Sequence, residues 1–385
     1  MTSESTKIAV NNSGGYVPGL NAVLLGVVRA AENLGWQVVG IRDGFDGLLF
    51  PDRYKDGGLL TLSQAFLETV SASAAPLLGT ASCSDPFHVR TIDAENQIEE
   101  LDCSDELLNK IHEQNIAAVI SVVGMQPLSI LFKLQRKGLN SVCVPASVEN
   151  DVAVTQLSFG SNSTLSCAVE LLENARHAAQ SSRRVGVVEV LGEHTGWLAL
   201  QAGIAVGADA ILIPEIPFDV QKVSAKLLQR SDAGRYGLVV VSEGARARQG
   251  NEQETAAVHR GSLKASLAPL ATGVKSAHVI NRQGLTAETV ALEIQHLTDL
   301  KTYPLALGQL VKGGQPSAVD RQLGIGYGAA AVRAVQEERS GVVVSFQPPD
   351  LKFVPLAEAI NKIRTVPLDS LFVQTARSLG ISLGD

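Results

Sequence analysis

The chain has 385 residues, 45% hydrophobic and 18% charged, with a net charge of −7. That length exceeds one simple core, so two lobes are expected, and the acidic balance argues against a general nucleic-acid role, which needs a basic footprint. No apolar run reaches membrane-spanning length and Met1 to Lys7 carry no signal-peptide core, so a cytoplasmic protein without a membrane partner is expected.

Thirty-five glycines and only 4% aromatic residues suit an α/β protein with many tight strand-to-helix turns. Cys83, Cys103, Cys143 and Cys167 form no metal-type or redox-type pair, and Cys143, inside an apolar run, is expected to be buried and inert.

Ile8-Ala9-Val10 reads as a buried strand that opens into Asn11-Asn12-Ser13-Gly14-Gly15-Tyr16-Val17-Pro18-Gly19-Leu20-Asn21. Apolar residues then recur at helical spacing from Ala22 to Leu34, with Asn21 as the expected N-cap. A strand, a Gly-Gly loop and a helix start offer backbone N–H groups to an anion, although plain turns use glycines too. The loop lacks both the Gly-Lys-Ser/Thr ending of a Walker loop and the dinucleotide G-x-G-x-x-G spacing.

Gln37–Ile41 reads as a second strand before Asp43-Gly44-Phe45-Asp46-Gly47-Leu48, and Leu77 to Ser82 is a small-residue loop. Ala117 to Val123 is a continuous apolar strand closed by Gly124-Met125-Gln126-Pro127. Further strands are expected at Val185–Val190, Ala210–Pro214, Leu238–Val241 and Gly341–Phe346, and helices at Ser163–Gln180 and Leu356–Arg364. Arg246 to Thr255 reads as a surface loop, Gly308 to Pro316 as another, and an alanine-rich helix follows Asp320-Arg321. The alternation implies parallel sheets with helices on both faces, twice over.

The apolar run Ser141 to Val144 leads into Pro145-Ala146-Ser147-Val148-Glu149-Asn150-Asp151. Ligands bind beyond the carboxyl ends of strands in open α/β sheets, and two acids there can serve as a general base and a metal or hydroxyl ligand. The plainer reading is an acidic turn, since Asn-Asp is common turn chemistry. His194 has no partner at metal or triad spacing and reads as structural, and Trp197 reads as packing.

Together these loops resemble the phosphofructokinase family in one order over nearly the whole chain. The carrying residues are Ser13-Gly14-Gly15 with Pro18-Gly19 and Asn21, Asp43-Gly44-Phe45 with Gly47-Leu48, and Ser147-Val148-Glu149-Asn150-Asp151. They continue with Val188 to Gly192, Pro214-Glu215, and Gly308 through Asp320-Arg321. The resemblance implies two Rossmann-like lobes with mainly parallel sheets and a site in the cleft. It places residues 1–160 and 311–362 in a larger, phosphate-donor lobe, and 161–310 and 363–385 in a smaller, sugar-phosphate lobe. It also implies a dimer or tetramer, or a hetero-oligomer with an active paralogue.

The family transfers phosphoryl from ATP or pyrophosphate, with magnesium, to the 1-hydroxyl of fructose 6-phosphate. Its Gly-Gly-Asp-Gly loop, which organises the metal, matches Val123-Gly124-Met125-Gln126, so the aspartate position is Met125. A thioether does not replace a hard oxygen ligand for magnesium. Elsewhere on the donor side Tyr16 follows Gly14-Gly15 where an aspartate is usual, Ser82 stands before Cys83 where an arginine is expected, and Ala146 replaces the pyrophosphate-marking lysine.

On the acceptor side the general base falls on Glu149 instead of aspartate, and its extra methylene moves the carboxylate by roughly an ångström, a misplacement that can cost ~10²-fold. Leu191-Gly192-Glu193 stands for Met-Gly-Arg, and the sugar-phosphate clasp of arginine, histidine and arginine falls on Tyr303, Gln309 and Lys312. Ser147, Asn150, Asp151, Arg184 and Glu215 keep the family's character at the sugar-phosphate side, Arg184's counterpart reaching the neighbouring subunit. The expectation is a family member with kinase activity lost or strongly reduced. It would bind a sugar phosphate at most, and act as a regulatory or partner subunit. The alternative is an active phosphotransferase on a sugar phosphate or polyol, with Glu149 as base.

Overall fold

The computed structural model describes residues 5–70, 75–81, 84–92, 98–232, 236–248 and 284–385. The chain divides into two compact units, Met1–Ser163 with Gly314–Arg364, and Thr164–Gly313 with Thr365–Asp385.

The first unit opens with β1 (Lys7–Asn12), whose Ile8, Ala9 and Val10 are fully buried, as a parallel strand covered on both faces must be. The helix Leu20–Asn33, β2 (Gln37–Ile41) and β3 (Leu59–Leu62) follow. A hairpin of β4 (Val89–Ile92) and β5 (Ile98–Leu101) then precedes the helix Ser104–Glu113. β6 (Ile116–Val123), the helix Met125–Arg136 and β7 (Ser141–Pro145) complete the first passage. Leu128, Leu131 and Leu134 line one face of the helix Met125–Arg136 and are fully buried in the unit's core with Val119, Val123 and Val343.

The helix Ser161–Ser181 leads into the second unit. There β8 (Val185–Val190), β9 (Ala210–Leu212), β10 (Leu238–Ser242) and β11 (Thr302–Ala306) alternate with the helices Trp197–Ala205, Val220–Asp232 and Leu285–Thr298. A 3-10 turn, Gly308–Lys312, closes this passage where a plain loop was expected. The helix Ala318–Gln336, β12 (Val342–Gln347) and β13 (Asp350–Pro355) belong to the first unit, and the helix Leu371–Ser378 to the second.

The larger sheet has the order β13-β12-β7-β6-β1-β2-β3, parallel from β12 to β2, with β3 and β13 added antiparallel at its edges. The smaller sheet, β11-β8-β10-β9, is parallel throughout. The fold is therefore α/β with two mainly parallel sheets, as the alternation implied. The antiparallel edges and the β4–β5 hairpin had no such signal, because β3, β4 and β5 have only four residues each and β13 follows β12 directly. Among the described residues no helix is long and apolar enough to cross a membrane.

Two local expectations are corrected. Asn21 is not an N-cap: the helix starts after Gly19 in the left-handed region, while the Asn21 amide accepts from Leu77 N at 3.1 Å and donates to Ala75 O at 3.3 Å. The helix expected over Leu356–Arg364 stops at Ala359, because Ile363 bridges to Val152 and Arg364 N donates to Asp151 O at 2.7 Å. Of the polar stretch Arg246–Thr255, Ala247 bridges to Phe218, and residues 249–255 lie outside the described residues. Cys143 is fully buried, and burial pushes its thiol up to about 12.

Candidate functional site

In the larger sheet the strand order reverses at β1, with β2 on one side and β6 on the other, and such a switch point opens a crevice at the carboxyl ends. Ser13 N donates to Val122 O at 3.0 Å, which ties the loop after β1 to β6. A Cβ on Gly14 would stand 3.3 Å from Gly124 N, so the two loops touch through backbone that a side chain would push apart. Asn12 accepts from Gly14 N at 3.3 Å and donates to Gly79 O at 3.1 Å, and Ala81 N donates to Gly14 O at 3.2 Å. Gly14, Gly15, Gly124 and the Gly79–Ala81 loop thus share one end of the sheet. The helices Leu20–Asn33 and Met125–Arg136 begin there without an acidic residue in their first turns, so the positive ends of their dipoles favour an anion. Tyr16 is half-buried beside exposed Gly15. Ser82 and Cys83, placed on this side by the resemblance, lie outside the described residues.

Met125 is the first residue of its helix, half-buried, and packed against the apolar core of the unit. Gln126 beside it is exposed. The residues of this half do not fit a magnesium ion. The position to which the resemblance assigns the metal organiser, Met125, carries a thioether packed against the core, and in the neighbouring loop Asp151 accepts from Ser147 Oγ at 2.5 Å.

The loop after β7 is joined to β6 by Ala146 N donating to Val123 O at 2.8 Å, which brings Ser147, Glu149, Asn150 and Asp151 to the same sheet end. Ser147 Oγ also accepts from Glu149 N at 3.1 Å. Asn150 is buried in the left-handed region at φ 56, which asparagine tolerates; its side chain accepts from Ser158 N at 2.8 Å and donates to Gln156 O at 3.3 Å. Arg364 donates to Asn150 O at 3.3 Å through Nη1 and to Asp151 O through its backbone N–H. The loop is therefore held by four residues that carry none of its chemistry.

In the second unit the switch falls between β8 and β10, and the loops after them are Leu191-Gly192-Glu193 and Glu243-Gly244. Gly192, at φ 140, is required: a Cβ there would run into Ser242 Oγ and the Thr195 carbonyl. Gly192 N donates to Glu243 Oε1 at 3.1 Å and Glu243 N to Val190 O at 3.0 Å. Burial pushes the Glu243 carboxyl up, the charges of Glu189 and Glu193 add to this, and Gly192 N–H and Lys312 oppose it. Leu307 N donates to Glu189 O at 2.9 Å, so the turn carrying Gln309 and Lys312 sits at this same end.

Other expected residues have structural partners or stand apart. The Glu215 carboxylate accepts from Thr195 Oγ1 and Gly196 N, both at 3.1 Å, and from Val366 N at 2.8 Å, which caps the helix Trp197–Ala205. Trp197 is buried edge-on against Phe372 at 6.2 Å, a packing role, and His194 is exposed. Arg184 immediately precedes β8 and Tyr303 pairs with Gly186, so both lie at the amino end of the strand, roughly 20 Å of extended chain from Leu191-Gly192.

Three participants escaped the sequence reading. Glu189 is buried and accepts from Gly284 N at 2.6 Å and from Thr286 N and Ala287 N at 3.0 Å, capping the helix Leu285–Thr298. Glu243 follows β10 as Glu149 follows β7, and that position alone was its signal. Arg364 had none, since only the tertiary fold brings it to Asn150.

Two α/β units, each with glycine loops and helix starts gathered at the carboxyl end of a mainly parallel sheet, define a doubly wound α/β protein. The phosphofructokinase model matches residues 7–335, and the chain belongs to the phosphofructokinase family. It is 36% identical to the ATP-dependent 6-phosphofructokinase of Chloroflexus aurantiacus, over 100% of this chain and 99% of that protein. It is 33% identical to ATP-dependent 6-phosphofructokinase 1 of Synechocystis, over 99% of each. Among solved structures it superposes on the pyrophosphate-dependent phosphofructokinase of Marinobacter aquaeolei with TM-score 0.72 and 19% identity, covering 98% of this chain and 92% of that one, a likeness of fold. It also matches the Pichia pastoris phosphofructokinase in the T-state, with TM-score 0.70 and 25% identity over 99% of this chain, and it spans 37% of that longer chain.

Proposed function

We propose that this phosphofructokinase-family protein has lost or strongly reduced its phosphoryl transfer and serves as a regulatory or partner subunit that holds a phosphorylated ligand. The observation that carries the reading is Met125, whose thioether packs into the core where the family resemblance expects a metal-organising carboxylate. Phosphoryl transfer is mostly positioning and neutralisation of charge. In the second unit, among the described residues, the charges of Glu189 and Glu193 act on Glu243 against that of Lys312, which works against neutralisation. The ligand is a sugar phosphate, and the assembly is a cytoplasmic homo-oligomer, or a hetero-oligomer with an active paralogue. Mixing the purified protein with an active family member tests this. A change in that enzyme's kinetics or in oligomer mass is expected, and no change in either sinks the partner role.

A second reading is supported by relatives named ATP-dependent 6-phosphofructokinase over the whole chain, and by the ordered Ser147–Asp151 loop. In it Glu149 takes the proton from a sugar-phosphate or polyol hydroxyl, with ATP or pyrophosphate as donor. Product-detecting assays decide between the two: turnover abolished by Glu149→Gln favours this one.

A further inference from the structure

At the other end of the larger sheet, beside the amino ends of β1, β6 and β7, is a cavity of about 440 Å³. That volume is in the range of small-molecule sites. Trp36, Gln135, Asn140, Gln336 and Glu338 are among its walls, and Glu338 is the one charged residue lining it among the described residues.

Three helices end at this cavity with the same closure. Trp36 N donates to Ala31 O, Leu139 N to Leu134 O and Arg339 N to Ala334 O, at 2.9, 3.0 and 2.9 Å. The residue before each donor stands in the left-handed region: Gly35 at φ 69, Gly138 at φ 108 and Glu338 at φ 55. Glycine takes such a position without strain, and short Asn or Asp side chains tolerate it. Asn115 and Asp299 are of that kind, and Arg183, at the same place after the helix Ser161–Ser181, brings a cation that suits a helix carboxyl end. Glu338 does neither. It is a longer acid in a strained conformation, its charge set beside three helix carboxyl ends, which carry partial negative charge themselves. A strained residue with a misplaced charge in a cavity points to a ligand that corrects the charge.

We propose that this cavity binds a small organic cation, an ammonium or guanidinium on a short apolar body. Glu338 and the three helix ends supply the counter-charge, the half-buried Trp36 ring supplies the face on which a cation packs, and the Gln135 and Gln336 amides accept its N–H groups. Anions are excluded by the same charges. The site is separate from the loops at the carboxyl end of the sheet and independent of the phosphoryl chemistry.

The test is calorimetric titration of the full chain with agmatine and with butylammonium, using inorganic phosphate as the anionic control. Saturable binding of at least one cation at about 1 mM or tighter is expected, with none for phosphate. Trp36→Leu and Glu338→Gln should each weaken it ~10-fold or more. Glu338→Gly separates folding from binding. It relieves the left-handed strain, so its Tm without ligand should rise by about 1–3 °C while cation binding is lost. Absence of saturable binding by both cations overturns the proposal, as does affinity left unchanged by Trp36→Leu and Glu338→Gln.

Discussion

Replacing Met125 with aspartate asks directly whether the donor half lacks only its metal-organising carboxylate. The change removes a half-buried side chain from the core, and since full burial of methionine stabilises by roughly 1.5–3 kcal/mol, the loss is about 1 kcal/mol. It also places an acid in the first turn of a helix that has none, which returns about 0.3–1 kcal/mol. The net cost stays below about 1 kcal/mol, a Tm change of no more than ~2–4 °C, so the variant should fold. Its gain is larger. Magnesium supplies several kcal/mol of charge neutralisation in such reactions, and recovering even ~3 kcal/mol raises the rate by ~10². The assay is product formation from ATP and magnesium with fructose 6-phosphate, run beside magnesium titrations of both proteins. Gln126→Gly in the same chain should add to the gain by letting phosphate approach backbone. The reasoning is refuted if the unsubstituted protein already turns over at the ~1–100 s⁻¹ usual for kinases. It is equally refuted if the folded aspartate variant gains neither metal binding nor turnover.

Other outcomes follow from the same geometry. Asp320 is fully buried and its Oδ2 accepts from Ser163 N and Oγ, both at 2.6 Å, at the start of the helix Ser161–Ser181. Asp320→Ala should cost about 3–5 kcal/mol in urea unfolding by stranding those donors, and Asp320→Asn clearly less because one acceptor oxygen remains. Glu243 titrates above the ordinary carboxyl range when folded, so the unfolded chain loses its proton first as pH rises, and stability falls between the ordinary value and the raised one. Glu243→Gln should remove that fall, making the variant relatively more stable at pH 7 than at pH 4 in paired melts. Arg364→Ala should speed hydrogen exchange in the Asn150–Val152 loop while exchange in β1 and β6 stays unchanged; equal protection in variant and parent would show that Arg364 does not hold the loop.

The strands were legible where apolar runs are buried on both faces, as in Ile8–Val10, Ile116–Val123 and Val185–Val190. The edges were not, because Leu59–Leu62 and Asp350–Pro355 are short, half-exposed and set by a neighbour already in the sheet. Asn21 misled because helix-capping chemistry and loop-bridging chemistry use the same side chain, and only the position of Leu77 decides between them. At the site, glycine loops and the Ser147–Asp151 segment announced themselves through turn chemistry. Of the acids around Gly192, Glu189 did not: it reads in sequence as an interruption of an apolar strand, and its helix-capping role depends on Gly284 and Ala287, about a hundred residues later in the chain. Arg184 and Tyr303 stand at the amino end of β8, away from Leu191-Gly192 in the same chain, as a residue whose family counterpart reaches the neighbouring subunit can.

The departures from the family pattern share a physical direction. At position 125 a thioether that packs into the core stands where a carboxylate would have to be kept at the sheet's open end. At position 126 glutamine stands in the first turn of a helix where glycine would cost about 1 kcal/mol more. Catalytic sites carry groups that the fold alone would not choose, and activity and stability trade against each other there. Both departures move toward what a helix start prefers when no phosphate or metal has to be accommodated. The neighbouring loop departs at Glu149, yet its hydrogen bonds from Ser147 to Asp151 and its Arg364 clamp are in place. A chain relieved of phosphoryl transfer but still required to hold a ligand, or to present that loop to a partner, would leave this combination. A chain catalysing the reaction at full rate would have to neutralise the transferring phosphate without it, and among the described residues Lys312 stands beside Glu243 against the charges of Glu189 and Glu193.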